Sequence, residues 1–213
     1  FPIVKEIVHL GGVTVVRQGT SSLLMIVLNS SLFIYGGELA IAVYGIINRV
    51  MMFTMFPVLG VTQGFLPIAG YNYGAKDAKR VKETIKIAIF YGTGVATLLF
   101  IGILLVPEFI SSLFTKDQEL ISKTSTALLF TFLATPVITT QLVGSAYFQA
   151  VGKALPTLLL TSLKQCLFLI PLVYLMPKFF GLNGIWWSFP VADVLSTLVT
   201  VIFLKREIDK NLT

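Results

Sequence analysis

Charged residues divide this chain into long apolar stretches. Residues 87–106 form an uncharged run of twenty, and residues 124–152 form another of twenty-nine. About 20 apolar residues cross the hydrocarbon core of a bilayer as a helix. Both runs therefore predict membrane-spanning helices.

Four further apolar stretches bring the number of predicted spans to six. They cover residues 10–33, 41–68, 155–177 and 182–204, and each contains one charge, at Arg17, Arg49, Lys164 and Asp193 respectively. The approximate predicted helices are 8–33, 41–70, 84–106, 121–150, 155–177 and 182–205. The predicted fold class is all-α: a polytopic membrane protein whose residues 1–213 form a single six-helix transmembrane bundle.

Composition agrees with this pattern. Hydrophobic residues make up 55% of the 213 residues and charged residues only 12%, whereas soluble domains contain about 25% charged residues. A soluble globular domain is therefore excluded. The net charge of +6 reflects membrane topology, so we expect contact with lipid and no nucleic-acid partner.

The basic residues predict the orientation. One side of the membrane receives ten of them: Lys5, Lys76, Lys79, Arg80, Lys82, Lys86, Lys153, Lys205, Arg206 and Lys210. The other side receives three: Lys116, Lys123 and Lys178. The positive-inside rule places both termini and the 72–86 loop in the cytoplasm of a multi-pass plasma-membrane protein.

Prolines interrupt the predicted helices. They are Pro57, Pro67, Pro136, Pro171 and Pro190. Each removes a helical hydrogen bond, and in lipid the freed carbonyl must be satisfied by neighbouring helices or by a wet cavity. This density is more usual in transporters and channels than in passive anchors. We predict bends at Pro57, Pro136 and Pro171.

Catalytic chemistry is poorly represented. The chain has one histidine, one cysteine and ten acidic residues, most of the acids in predicted loops. We therefore expect no catalytic residue, no metal site and no enzyme. Cys166 lies in an apolar stretch, where a small buried hydrophobe is the expected role.

Polar side chains at membrane depth are the candidates for function, because they are costly unless they meet other helices or water. The candidates for a substrate or cation pathway are Arg17, Gln18, Asn48, Gln63, Gln141, Gln149, Lys164, Gln165 and Asp193. Ser21, Ser22, Asn29 and Arg49 share this depth. Hydrogen bonding between helices is the alternative role for the Gln and Asn residues. For Arg17, Lys164 and Asp193 we favour a cavity.

The helix rise predicts one contact among these residues. Lys164 lies about 13 Å and Asp193 about 16 Å from the same membrane surface, on consecutive antiparallel helices. Opposite charges at matching depth offset part of each other's desolvation cost. We therefore predict that the two interact, either as a permanent structural pair or as a functional pair that borders the cavity.

Four segments resemble the multidrug and toxic compound extrusion (MATE) family. In chain order they are GVTQGFLPIAGYNYGAKDAKRVKETI (60–85), YFQAVGKALP (147–156), SLKQ (162–165) followed by Pro171, and GLNGIWWSFPVAD (181–193). The family has twelve helices in two six-helix lobes and exchanges H⁺ or Na⁺ for amphipathic, often cationic compounds. This chain looks like the C-terminal lobe, helices seven to twelve.

The resemblance also implies a partner and a coupling ion. A six-helix N-terminal lobe would complete the protein, and the start at Phe1 without a methionine suggests half of a longer chain. NorM-like members carry acidic cation ligands on the first and fourth helices of this lobe. Here those regions read VVRQGTSSLL and TPVITTQLV, without Asp or Glu. The chain thus looks closer to the DinF-like branch. This resemblance implies no cofactor and a coupling H⁺ or Na⁺ that binds mainly in the missing lobe of a bacterial or archaeal protein.

Two other functions remain open. A lipid-linked saccharide flippase of the same superfamily usually has several basic residues in its cavity, whereas only Arg17, Arg49 and Lys164 are available here. The chain could instead be a membrane scaffold that does not transport. In that case apolar replacements of the mid-membrane polar residues should be tolerated.

Overall fold

The computed structural model describes the backbone of residues 2–211 and the side chains of residues 18–162 and 164–210. The protein is 91% helical, and no strand occurs among residues 2–211. The all-α fold class predicted from the apolar runs is therefore confirmed.

Nine α-helices and one π-helical segment follow one another over the described residues. The α-helices are α1 (Pro2–Gly74), α2 (Ala78–Leu105), α3 (Pro107–Ser112), α4 (Gln118–Thr131), α5 (Thr135–Ala150), α6 (Ala154–Leu163), α7 (Ile170–Leu175), α8 (Pro177–Phe180) and α9 (Leu182–Asn211). The π-helical segment, Lys164–Leu169, joins α6 to α7 and is called the π segment below.

Four helical stretches are long and apolar enough to cross a membrane, and α4 with α5 forms a fifth, bent by 53°. The four are Gln18–Gly74, Ala78–Leu105, Ala154–Phe180 and Leu182–Lys210. The first has 57 residues, or about 85 Å of helix, which suffices for two crossings of a core about 30 Å thick. Counted in this way, the described helices provide six crossings.

The long helix α1 is divided at Gly37. This residue has φ 65° and ψ −161°, a conformation that essentially only glycine adopts. Tyr44 Oη lies 3.9 Å from Met25 Sδ, although 19 residues of straight helix would separate them by about 28 Å. The first half of α1 (18–36) and the second half (38–74) therefore lie side by side. A single residue makes the turn for which the predicted helices 8–33 and 41–70 leave residues 34–40.

Two of the predicted proline positions coincide with helix breaks. Pro136 is the second residue of α5, at the 53° bend, and Pro171 is the second residue of α7, after the π segment. The missing N–H costs nothing in the first turn of a helix. At Pro57, α1 continues with helical backbone angles, so no interruption accompanies that proline.

The turns between spans are shorter than the sequence suggests. After α1 ends at Gly74, α2 begins at Ala78, so most of the basic residues expected in the 72–86 loop lie on the first turns of α2. Asp77 caps this helix by accepting a hydrogen bond from the Arg80 backbone N–H at 3.0 Å. This side-chain cap satisfies one of the N–H groups left free at a helix start.

Two apolar clusters form the core. The first cluster joins both halves of α1 with α4, α7 and α9, through Leu28, Ile47, Phe132, Val173 and Ile185 among others. The second cluster joins the second half of α1 with α2, α5, α6 and the end of α9, through Phe65, Ile85, Tyr147, Leu160 and Leu204 among others. The junction between the two clusters lies near the middle of α9.

Candidate functional site

An ion pair lies at the junction of the two apolar clusters. Lys164, the first residue of the π segment, extends its Nζ to Oδ1 of Asp193 on α9. The contact predicted from helix depth is confirmed. Asp193 is 2% exposed, whereas the Lys164 side chain is 25% exposed. The carboxylate is therefore enclosed by protein, and the ammonium reaches it from a partly open side.

Two further polar contacts attach the π segment to the first half of α1. Ser21 Oγ donates a hydrogen bond to Gln165 Oε1 at 3.0 Å. The thiol of Cys166 donates to Thr20 Oγ1 at 3.3 Å. Three consecutive residues of the π segment thus contact two different helices. π-helical turns are rare and occur frequently at functional sites.

The expectation that Cys166 is a buried hydrophobe is wrong, because the residue is exposed. Its neighbour Leu167 is also 61% exposed. In a membrane protein an apolar stretch can face lipid or a partner as well as the protein core, so apolar neighbours do not predict burial.

The predicted candidates Gln141 and Gln165 are hydrogen-bonded between elements. Gln141 is buried, and its Nε2 donates to the backbone oxygen of Leu160 at 3.4 Å. Gln165 accepts from Ser21 as described above. These bonds fit the structural role considered for the amide side chains.

Other candidates remain on the outside of the bundle. Gln18, Gln63 and Gln149 are exposed, and Asn48 is half-buried. Gln149 is near the end of α5, whereas Gln63 lies well inside the second half of α1. An exposed amide at membrane depth needs water or another protein surface rather than lipid.

Two of the predicted polar residues at membrane depth, Arg17 and Arg49, are arginines on α1. Arg49 is exposed within the second half of α1, so it joins Gln63 as a residue that requires a polar environment. The predicted candidate Arg17 lies on α1, but its side chain is outside the described residues.

An ion pair near the end of α9 was not predicted from the sequence. Glu207 near the end of α9 is 8% exposed, and its Oε1 lies 2.5 Å from Lys153 Nζ and accepts a 3.5 Å hydrogen bond from Tyr147 Oη. The sequence explains Lys153 only as a positive charge on a turn. The pairing depends on how α9 packs against α5, which no local pattern indicates.

A polar cavity of about 380 Å³ opens at the end of the bundle where α1 turns. It lies between Gly36, the start of α4 and the start of α9. Its polar lining consists of Glu119, Ser122, Lys123, Thr126 and Asn183. None of these residues was a candidate, because each lies close to a predicted loop rather than at mid-membrane depth.

The chain matches a known protein family over most of its length. The MatE family model matches residues 13–175, about three quarters of the chain. The multidrug export protein MepA of Staphylococcus aureus (strain MSSA476) is 28% identical over 190 residues, which are 85% of this chain and 40% of MepA. MepA of Staphylococcus haemolyticus (strain JCSC1435) is 27% identical over 205 residues, which are 93% of this chain and 42% of that relative. The chain thus spans about two fifths of the length of these curated relatives.

Solved structures show the same fold. An inward-facing MATE family multidrug resistance transporter of the MOP superfamily aligns with a TM-score of 0.91 at 22% identity, over 98% of this chain and 48% of that one. The corresponding outward-facing structure gives 0.89 at 22% identity, over 98% and 47%. A MOP superfamily transporter from Pyrococcus furiosus, described as having a binding pocket of reverse polarity, gives 0.90 at 22% identity, over 100% and 48%. With the helices of one MATE lobe and a family match over most of its length, the chain belongs to the MatE family.

Proposed function

We propose that this chain is the C-terminal lobe, helices seven to twelve, of a cation-coupled multidrug efflux antiporter. The observation that carries the proposal is the match to proteins named multidrug export proteins over 85% and 93% of the chain. The exported compounds would be amphipathic and often cationic. Transport moves such a compound without changing its bonds, so no residue is assigned a catalytic role.

The partner in this proposal is a six-helix N-terminal lobe. The solved transporters that align over nearly all of this chain are about twice as long, which leaves room for a second lobe of similar size. The coupling H⁺ or Na⁺ would bind mainly in that lobe. The excess of basic residues on one predicted side supports a plasma-membrane orientation with both ends of this lobe in the cytoplasm.

Alternating access would then consist largely of motion between lobes. The chain aligns with the inward-facing and outward-facing structures at TM-scores of 0.91 and 0.89. One lobe architecture therefore fits both conformations. Transporters built from two repeats commonly rock one repeat against the other around a central site.

Vesicle transport tests the proposal directly. The full-length protein would be reconstituted with an imposed H⁺ or Na⁺ gradient, and movement of a fluorescent lipophilic cation would be compared with movement of a lipid-linked sugar. We expect gradient-dependent transport of the cation alone. Transport of the sugar alone would support the flippase instead, and transport of neither would contradict both.

The scaffold alternative requires a test at single residues. Gln63→Leu changes an exposed side chain, so the folded protein should keep its Tm. If Gln63 borders the transport pathway, efflux should fall several-fold. Arg17→Met tests the second predicted position in the same assay. Wild-type efflux from both variants would favour a role for these residues outside the transport pathway.

A further inference from the structure

We propose that Asp193 is a monovalent-cation site of this lobe. In the observed state the Lys164 ammonium fills the site, and in another state of the transport cycle an external proton or Na⁺ replaces the ammonium. This inference rests on the proposed antiport function. It concerns a residue on the last helix of the lobe, whereas NorM-like members carry their acidic cation ligands on the first and fourth helices.

Asymmetric burial is the first observation that supports exchange. The Asp193 carboxylate is 2% exposed and fixed within α9, whereas the Lys164 side chain is 25% exposed. The lysine carries its ammonium on a flexible stem of four carbons and can withdraw toward its open side. The carboxylate cannot follow, so it would be left buried and charged unless another cation takes the place of the ammonium.

The π segment is the second observation. Lys164 begins a stretch whose hydrogen bonding is not that of a regular α-helix, and single π-helical turns within α-helices are found frequently at functional sites. Gln165 and Cys166 hold the same stretch against Ser21 and Thr20 of α1. Release of Lys164 would therefore be transmitted to the contact between the π segment and α1.

Comparison with the Lys153–Glu207 ion pair supports the assignment. Glu207 has two partners, because Lys153 lies at 2.5 Å and Tyr147 donates a hydrogen bond at 3.5 Å. The pair lies beside the turn between α5 and α6, whereas Lys164–Asp193 lies where the two core clusters meet. The Lys153–Glu207 pair is thus a matched structural control for the Lys164–Asp193 pair.

Among the described residues, the tyrosines Tyr44 on α1 and Tyr147 on α5 contact groups other than the Asp193 carboxylate. Tyr44 on α1 stacks on Phe189, one turn before Asp193, with ring centroids 6.1 Å apart. Its hydroxyl points to Met25. Tyr147 on α5 contacts Glu207, which is about 21 Å further along α9 than Asp193. Arg17 on α1 has no described side chain.

The remaining neighbouring elements contribute charges only toward one end of α9. Glu119 and Lys123 on α4 line the cavity beside Asn183, about 15 Å along α9 from Asp193. Lys178 on α8 lies over the ring of Tyr174 on α7, at 4.1 Å from its centroid. Helix α6 has no charged residue. Among the described residues, Lys164 is therefore the charge that contacts Asp193.

The exchange is simple in its balance. A proton adds to one carboxylate oxygen of Asp193, the ion pair opens, and Lys164 keeps its own proton. The site then changes from net neutral to one positive charge, carried by an ammonium that is free to leave the carboxylate. With Na⁺ in place of the proton the balance of charge is the same.

Cys166 provides a readout that does not depend on transport. It is the one cysteine of the 213 residues, is exposed, and lies on the π segment two residues after Lys164. In full-length protein with any other cysteine replaced by serine, we would measure maleimide labelling rates for the wild type, Asp193→Asn and the matched control Glu207→Gln. Comparing rates at each pH cancels the ionisation of the thiol itself.

At pH 8 we expect Asp193→Asn to label at least threefold faster than the wild type, because loss of the pair frees the contact between Cys166 and Thr20. If a proton is the exchanging cation, the wild-type rate should approach that of Asp193→Asn as the pH falls to 5. If Na⁺ is the cation, addition of Na⁺ at pH 8 should have this effect instead. Glu207→Gln should behave as the wild type. Equal rates for the wild type and Asp193→Asn under all conditions, or an equal shift in Glu207→Gln, would overturn the proposal.

Exchange of the two charges gives the second test. Lys164→Asp combined with Asp193→Lys keeps an ion pair, so the variant should fold, but its carboxylate would stand on the mobile side. We expect at least a tenfold loss of coupled efflux with a near-normal Tm, whereas unchanged efflux would identify a purely structural pair. If the wild type itself exports nothing, the proposed function fails, while the labelling rates still decide the role of Asp193.

Discussion

At the scale of single residues, close packing between α5 and α9 depends on Gly144. A Cβ atom at this position would lie 2.3 Å from Cγ2 of Thr200, which is fully buried. Non-bonded carbon atoms in proteins do not approach this closely. The Thr200 side chain is β-branched and lies inside a helix, so it has little freedom to move away. A small residue at a helix interface permits such an approach in membrane proteins.

Gly144→Ala should therefore destabilise the protein by about 1–3 kcal/mol through overpacking. Thermal unfolding in detergent measures this as a lower Tm. Gly94→Ala on α2 makes the same chemical change where no atom lies within 4 Å, so its Tm should hardly move.

The double variant Gly144→Ala with Thr200→Ser identifies the cause. Serine lacks the clashing methyl but keeps the hydroxyl that donates to the Ser196 backbone oxygen at 2.8 Å. Most of the lost stability should return. If the double variant loses as much stability as Gly144→Ala and Thr200→Ser lose together, the contact between the two residues would be contradicted.

The Lys153–Glu207 pair makes a separate prediction. Lys153→Met leaves the buried Glu207 carboxylate with only the Tyr147 hydroxyl as a described partner. We expect a loss of about 1–3 kcal/mol, because the lysine is itself partly exposed. Glu207→Gln added to Lys153→Met should recover part of the loss, since it removes the unpaired charge. Equal stability of both variants, measured by thermal unfolding, would show that the ion pair contributes little.

Part of the candidate site around Lys164 and Asp193 could be predicted from the sequence. The contact between Lys164 and Asp193 follows from a fixed rise per residue and two helix ends, so depth alone brings the charges together. Burial of Glu207 and exposure of Cys166 depend on which side each helix turns toward the bundle. That rotation is set by packing between helices and leaves no mark in a chain whose lipid side and core side are both apolar.

At the scale of elements, the division of α1 rests on Gly37. No atom lies within 4 Å of the position that its Cβ would occupy, so only the backbone conformation opposes a side chain. An alanine with φ near 65° and ψ near −161° lies in a strongly disfavoured region that costs of order 1–3 kcal/mol.

A pair of alanine variants on α1 separates backbone strain from packing. Gly37→Ala should lower stability by about 1–3 kcal/mol. Gly45→Ala, eight residues later in ordinary helix and also in open space, should be neutral or stabilise the helix by up to about 1 kcal/mol. Chemical or thermal unfolding of both variants provides the comparison, and equal effects would show that Gly37 does not carry the strain.

Helices were predictable where charges bounded an apolar run, because the thickness of the bilayer fixes the length of a span. The turns were predicted too long. The chain can turn between two helices at one glycine, as at Gly37, or begin the next helix at a side-chain cap, as at Asp77. The polar residues near these turns therefore lie on helices rather than in loops. The π segment had no sequence signal, because its hydrogen bonding differs from that of an α-helix without a distinct pattern of residue types.

At the scale of the whole molecule, many large apolar side chains are exposed. Phe90, Tyr71, Leu105 and Phe179 are each more than 70% exposed. Part of this surface suits lipid, and part would meet a second lobe under the proposed function. A lobe purified by itself would leave the second part uncovered.

The isolated 213-residue chain should therefore insert into membranes but associate with itself in detergent and transport nothing. Size-exclusion chromatography with light scattering measures the association, and the vesicle assay measures transport. Co-expression with the remaining lobe should restore a monodisperse complex. A monodisperse, transport-active monomer of the isolated chain would contradict the two-lobe proposal.

The π segment also affects how this chain is compared with other members of its family. One residue corresponds to about 100° of rotation in an α-helix. A relative that lacks one residue within 164–169 could form a regular α-helix there, and its residues equivalent to Ile170–Leu175 would then point about 100° away from their direction here. Insertions and deletions of single residues in this short stretch would thus redirect a whole helix end while leaving the rest of the lobe in register.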